Sequence, residues 1–188
     1  MIRAFGYGIS LKGDVCMYFE GMNKKVSSTA LGVHFAKHDL VYSVAYDQSR
    51  GKCFSGSMDN SVRVWDVRTG ECLAVLSGHN SLVGLLNTSG ARVLSAAADG
   101  LVNIWDTTSN KLEHTLHHSC AVVSLASDDA TVLTAAGDTV HMWDIRSGIA
   151  LWEMRVGDQV WHVVWQRGIL IIASRRNSAS MFDVYDFR

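Results

Sequence analysis

The sequence predicts an all-β chain of about four successive β-propeller blades, a partial ring. Three observations predict it. A Trp-Asp pair recurs at Trp65-Asp66, Trp105-Asp106 and Trp143-Asp144 with a period of about 40 residues, and Tyr185-Asp186 follows in step. An Asp, a Ser or Thr and a His recur with the Trp at nearly fixed offsets. Between these marks run short apolar stretches divided by polar turn residues. A period of about 40 with four short strands per unit is that of a propeller blade.

Composition narrows the class. Apolar residues make up 48% of the 188 and charged residues 19%, which suits a packed core and excludes a disordered chain. The formal net charge of -1 supplies no global field toward nucleic acid or anionic membrane. Proline is absent, so turns must use Gly, Asn, Asp and Ser. Cys16, Cys53, Cys72 and Cys120 form no C-x-x-C pair, against a zinc ribbon or redox motif. The opening "MIRAFGYGISLKGD" has no continuous apolar core of a signal peptide, and "ILIIA" is too short to span a bilayer. The expectation is a soluble protein of the nucleus or cytoplasm, with no cofactor and no metal.

The elements follow in order. Residues 1–37 are a divergent segment of unclear structure. Within it "VCMYFE" reads as a strand that would cover an exposed edge, and Lys24-Lys25 as solvated. The blades are expected at about 38–78, 79–117, 118–157 and 158–188. In the first, "CFSGS", "VRVWDV" and "CLAVL" read as antiparallel strands joined by polar turns. Asp59-Asn60 and Asp99-Gly100 supply turn chemistry, and Asp66, Asp106 and Asp144 sit at the next turn.

The coupled marks define WD repeats. Ser55, Asp59 and Trp65 belong to the first blade. His79, Ser95, Asp99 and Trp105 belong to the second, and His118, Thr134, Asp138 and Trp143 to the third. In each blade these residues are expected to form a buried hydrogen-bonded relay, the carboxylate accepting from His and from backbone amides. The third copy has one residue fewer between Asp138 and Trp143, so its turn is shorter. The last copy lacks the His and the turn Asp.

Two sharper readings compete with this one. His79, Ser95 and Asp99 have the composition of a catalytic triad, but the relay explains them and recurs in the next blade, and no G-x-S-x-G elbow surrounds Ser95. No catalytic residue is therefore assigned. The run "HTLHH" suggests metal, but His114 and His117 should diverge on a strand, and His118 belongs to the relay.

"VYSVAYDQSRGKCFSGSMDNSVRVWDVRTGECL", "LSGHNSLVGLL", "LSAAADGLVNIWD", "DQVWHVVW" and "FDVYDF" together resemble the last four blades of the fungal cell-division-control F-box/WD-repeat family. Members are substrate receptors of SCF ubiquitin ligases in the cell cycle, with an eight-bladed propeller. The resemblance spans about residues 40–188. It implies a non-enzymatic module that binds phosphorylated protein substrates for ubiquitin-dependent proteolysis. It further implies an apolar degron pocket at Tyr42, Met58, Leu82 and Trp161. A phosphate contact falls at Arg176, which directly precedes Asn177, with Arg175 beside it. Position supports the pocket: all four apolar residues fall at inner-strand starts or beside a turn Asp, at one expected rim of the channel. No F-box and no early blades are found in the sequence. Other SCF subunits are thus expected to meet this chain only through missing regions. The alternative is a WD-repeat scaffold with an unrelated partner, or one that self-associates through its open propeller edges.

Overall fold

The computed structural model describes residues 7–11, 15–19 and 40–187. Strand β1 (Tyr7–Leu11) pairs antiparallel with β2 (Val15–Phe19) in a two-stranded sheet of its own. The stretch "VCMYF" is therefore a strand, but it pairs with β1 and not with a blade edge. Lys24-Lys25 lies outside the described residues.

The rest is all-β: four antiparallel sheets follow one another along the chain as the blades of a WD-repeat β-propeller arc. The first holds β3 (Val41–Asp47), β4 (Lys52–Ser57), β5 (Ser61–Asp66) and β6 (Cys72–Ser77). The second holds β7 (Val83–Ser89), β8 (Arg92–Ala97), β9 (Leu101–Asp106) and β10 (Lys111–His117). The third holds β11 (Val122–Ser127), β12 (Thr131–Ala136), β13 (Thr139–Asp144) and β14 (Ala150–Arg155). Among the described residues the last holds three strands, β15 (Gln159–Gln166), β16 (Ile169–Arg176) and β17 (Ala179–Asp186).

Aspartates at strand ends make the turns. The carboxylates of Asp47, Asp66, Asp106, Asp128 and Asp144 each accept the backbone amides two and three residues ahead. A short acceptor on a fixed Cβ is what such a turn requires. For Asp66, Asp106 and Asp144 these amides hold the carboxyl below its ordinary range. The Asp of each Trp-Asp pair is thus a turn-former.

Burial sits between blades. Phe54, Val62, Val64 and Leu76 of the first sheet form one cluster with Val83, Val93 and Trp105 of the second. The cluster around Leu94, Ile104 and Leu116 takes in Trp143 of the third. Leu133, Ala135 and Val140 meet Val163, Leu170 and Ile172 of the last blade, with Trp165 and Tyr185 packed against them. Each fully buried Leu, Ile, Val or Phe contributes about 1.5–3 kcal/mol. The fit at the first interface is close: a Cβ on Gly56 would lie 2.5 Å from Ser43 Oγ and 2.7 Å from a Val83 methyl. Polar ties cross the same seams. Ser43 Oγ donates to the Val83 carbonyl at 3.3 Å, Lys52 Nζ to the Thr107 carbonyl at 2.5 Å, and Trp165 Nε1 to Asp128 at 2.5 Å.

Every inner strand bulges near its start. The register shifts fall between Val41 and Ser43, Val83 and Leu85, Val122 and Ser124, and Val160 and His162. One extra residue there bends the strand and turns a side chain out of the pleat.

Candidate functional site

The relay is complete in the second blade. Trp105 Nε1 donates to Ser95 Oγ at 2.8 Å, and His79 Nε2 lies 2.8 Å from the same oxygen. His79 Nδ1 stands 3.3 Å from Asp99 Oδ2. One tautomer satisfies the chain: Ser95 accepts from the indole and donates to Nε2, leaving Nδ1–H for the carboxylate. Asp99 also accepts the Asn80 amide at 2.8 Å and the Leu101 amide at 3.0 Å. Burial opposes ionisation of Asp99, yet these amides and His79 keep its pKa below the ordinary value. Ser95 is 0% exposed and engaged on both sides, so no substrate reaches its oxygen. The triad look-alike is a structural device.

The other blades depart from it in graded fashion. In the first, Trp65 Nε1 donates to Ser55 Oγ at 2.9 Å, and Asp59 accepts the Ser61 amide and hydroxyl and pairs with Arg63. In the third, Trp143 Nε1 donates to Thr134 Oγ1 at 2.9 Å and His118 Nε2 lies 2.7 Å from it. Asp138 does not take its expected place: His118 Nδ1 faces the Gly100 carbonyl at 3.2 Å instead. The reason is turn length. The first two blades join their second and third strands through three residues ending in left-handed Asn60 or Gly100, which presents the middle Asp. The third uses the two-residue turn Gly137-Asp138, with Gly137 at φ 60°, and the carboxylate leaves the relay.

The last blade keeps only part of the device. Tyr185 occupies the Trp position, opposite Leu170 as Trp105 is opposite Val93. Ile172, opposite Val163 as Ser95 is opposite Leu86, occupies the hydroxyl position, while Ser174 matches Ser57 and Ala97 at the strand end, fully buried with its Oγ without a partner. Val156 stands where the His would be, its amide donating to the Asp138 carbonyl as that of His118 donates to the Gly100 carbonyl, and Asp158 accepts the Asn177 amide at 3.0 Å. In the second blade the turn carboxylate accepts from the loop amide; here the loop carboxylate accepts from the turn amide. Ser174→Ala is therefore expected to leave stability unchanged or raise it by about 1 kcal/mol, whereas Ser95→Ala lowers it by about 1–3 kcal/mol. Urea unfolding midpoints of the two variants check this.

The apolar candidates fall at one end of the sheets, where the inner strands begin and the second strands end. Tyr42 and Trp161 are the bulged residues of the first and last inner strands, 52% and 43% exposed. Met58, 52% exposed, follows the end of β4, and its amide donates to the Leu40 carbonyl. Leu82, half-buried, precedes β7, and its carbonyl accepts the Ala98 amide. The structure brings Tyr42, Met58 and Leu82 to adjoining blades, with Trp161 at the far end of the arc. Two further exposed residues share these positions: Leu40 matches Leu82, and Val123 is the bulged residue of the third blade. The signal for them was positional equivalence, visible once the bulges are known.

The two arginines differ. Arg176 Nε and Nη2 donate to the Val156 carbonyl at 3.1 and 2.6 Å, and Nη2 lies 3.4 Å from Asp183. Its fork is largely occupied. Arg175 occupies the position equivalent to Met58, one residue past the strand-end partners Ser57 and Ser174, and is exposed. His114 Nε2 meets the Arg146 carbonyl at 2.7 Å, so it serves a blade contact apart from His118.

Comparison with known proteins agrees with this architecture. Residues 27–66 and 70–106 match the WD40 family, described as WD domain, G-beta repeat. The architecture is thus that of a WD-repeat β-propeller. It is similar to Regulator of rDNA transcription protein 13 of Saccharomyces cerevisiae, 28% identical, over 79% of this chain and 94% of that protein. It is 29% identical to Cell division control protein 4 of the same yeast, over 79% of this chain and 22% of that protein. It is 36% identical to F-box/WD repeat-containing protein sel-10 of Caenorhabditis elegans, over 57% of this chain and 19% of that protein. The chain therefore spans about a fifth of these two relatives. Among solved structures, the computationally designed Ika4 protein superposes with a TM-score of 0.75 at 23% identity, over 87% of this chain and 100% of that one. The designed Ika8 protein gives 0.68 at 26%, over 76% of this chain and 45% of that one.

Proposed function

We propose that the chain is a substrate-binding WD module that recruits phosphorylated proteins, in the manner of an SCF ubiquitin ligase receptor. The observation that carries this reading is the run of exposed apolar side chains at one rim: Leu40, Tyr42, Met58 and Trp161, each 43% exposed or more. Solvent-facing apolar groups repeated at equivalent positions favour an interaction surface. Similarity to Cell division control protein 4 and to sel-10 supports the ligase context. Arg175 is the arginine available for a phosphate, and its planar fork suits that group. Arg176 positions the turn. The propeller performs no chemistry; a transferase elsewhere acts on the substrate.

A doubly phosphorylated degron peptide, immobilised, is expected to capture the protein, and its unphosphorylated form to capture less. Met58→Ala with Trp161→Ala lowers capture about tenfold or more, the loss of two apolar anchors of 1–2 kcal/mol each. Arg175→Ala removes the preference for the phosphorylated form. Capture unchanged in both variants ends this reading.

A second reading has its own support. Regulator of rDNA transcription protein 13 is covered over 94% of its length. A scaffold of this size without a ligase role then binds a different protein, and the degron peptide fails while the fold is intact.

A further inference from the structure

We propose that Ser178, at the tip of the hairpin joining β16 to β17, is a phosphoryl-acceptor site for a serine kinase that reads the two arginines before it. The assignment stands apart from the degron reading; only its effect on the rim rests on that reading.

The sequence supplies the address. In "RRNS" Arg175 and Arg176 stand three and two residues before Ser178. Among the described residues no other Ser or Thr follows two basic residues at this spacing. Paired positive charge ahead of the acceptor is a pattern that an acidic kinase cleft selects.

The structure lifts that address clear of the sheet. Strands β16 and β17 hold eight residues each, where the second and third strands of the other blades hold six. Ser174 pairs with Val160 as Ala136 pairs with Val122. Ala136 then closes its hairpin opposite Thr139. The last hairpin runs on for two more pairs, Arg175 with Ser180 and Arg176 with Ala179. Its tip thus stands about 7 Å beyond the level at which the third-blade hairpin ends. Ser178 is exposed there because the hairpin is long, and a sheet packed alongside leaves the tip open.

The tip is also strained. Asn177 and Ser178 have φ of 51° and 64°, the left-handed pair of a two-residue hairpin turn. Asn suits the first place, but the second favours Gly, because a Cβ there is costly. The Val156 carbonyl holds Arg176 and the Asp158 carboxylate holds the Asn177 amide, so the base of the tip is fixed. A hydroxyl kept where glycine fits better points to a use for that hydroxyl. The strain also favours local opening of the tip into the extended form that a kinase cleft takes.

The transfer needs a nucleoside triphosphate, which the kinase brings with magnesium. Ser178 Oγ attacks the γ-phosphorus, the bond from that phosphorus to the bridging oxygen breaks, and the nucleoside diphosphate leaves. The hydroxyl proton passes to a carboxylate of the kinase. The product carries a charge of about −2 at neutral pH. Arg175 pairs across the hairpin with Ser180, two residues past Ser178, so its guanidinium reaches such a phosphate. A phosphorylated substrate then meets like charge at the rim in place of a free arginine.

The test incubates the purified chain with the catalytic subunit of cyclic-AMP-dependent kinase and magnesium ATP, and maps the phosphate by tandem mass spectrometry. A single phosphate on Ser178 is expected. Ser178→Ala and Arg175→Ala each lower incorporation about tenfold or more. Ser95→Ala, which weakens the whole fold, leaves the rate unchanged; a rate that rises with it means labelling of unfolded chain and overturns the proposal. Phosphate mapped elsewhere, as to Ser27 after Lys24-Lys25, overturns it as well. Ser178→Gly abolishes labelling and raises the thermal midpoint as the strain is released. A lowered midpoint shows that the serine serves the fold, and the case for its hydroxyl falls. Capture by the doubly phosphorylated degron peptide is expected to drop about tenfold after labelling. Equal capture by both forms overturns the effect on the rim. No capture by either form ends the degron reading, and the mapped phosphate still decides the acceptor.

Discussion

Asp99→Ala is expected to lower the unfolding free energy by about 2–4 kcal/mol, and Asp138→Ala by no more than about 0.5 kcal/mol. The two residues stand at matching places in neighbouring repeats, so a pattern alone would assign them equal weight. Their surroundings do not. Asp99 accepts the Asn80 and Leu101 amides and faces His79 Nδ1, all at 3.3 Å or less. Removing it leaves a buried imidazole donor and two turn amides to find new partners. His118, by contrast, meets the Gly100 carbonyl, and Asp138 contributes a backbone carbonyl to the Val156 amide. Alanine keeps that carbonyl. Denaturant titration of both variants, followed by tryptophan fluorescence, reads the difference. Equal losses would mean that the turn-length account of the third blade is wrong.

Acidification from pH 7 to 5 is expected to cost the folded state about 1–2 kcal/mol through His118, and His118→Asn to flatten that dependence. Burial, with the neighbouring His141 adding to it, pushes the His118 pKa down from 6.5 to about 4. In the unfolded chain the imidazole takes up a proton near its ordinary value, so between pH 6.5 and 4 the unfolded state binds more protons. Stability therefore rises with pH through this window and is lost as pH falls through it; below about 4 this group contributes no further loss. Burial lowers His79 and His141 as well, in the same direction. The turn aspartates act in a separate window. Their pKa values are lowered, so their contribution is present above the unfolded carboxyl value and lost beneath it. Urea midpoints of parent and His118→Asn at pH 7, 6 and 5 separate the windows. The quantity read is the slope with pH, which survives any uniform change in stability.

Much of the fold was legible because the marks are chemical necessities. A buried indole N–H needs an acceptor, and Ser55, Ser95 and Thr134 stand at the spacing that supplies it. The Asp after each Trp was readable as a turn-former for the same reason. What the pattern hid was geometry set by one residue more or fewer. The missing residue before Trp143 was visible, but that it would expel Asp138 from the relay depends on the two-residue turn with Gly137 in the left-handed region. The bulges that align Tyr42, Val123 and Trp161 leave no trace in residue type, so Val123 escaped notice. Arg176 matched its motif by sequence, yet a carbonyl 20 residues away occupies its guanidinium. The orphaned Ser174 hydroxyl follows from burial at the end of its strand, which no residue pattern displays.

The thinning of the relay along the chain gives the arc a direction. Adjacent repeats stabilise only their neighbours, so cooperativity passes from one to the next and fails first where the internal rivets are fewest. Heat should peel this protein from its carboxyl end, the stretch around Ser174 fraying while the blade around Ser95 still holds its shape.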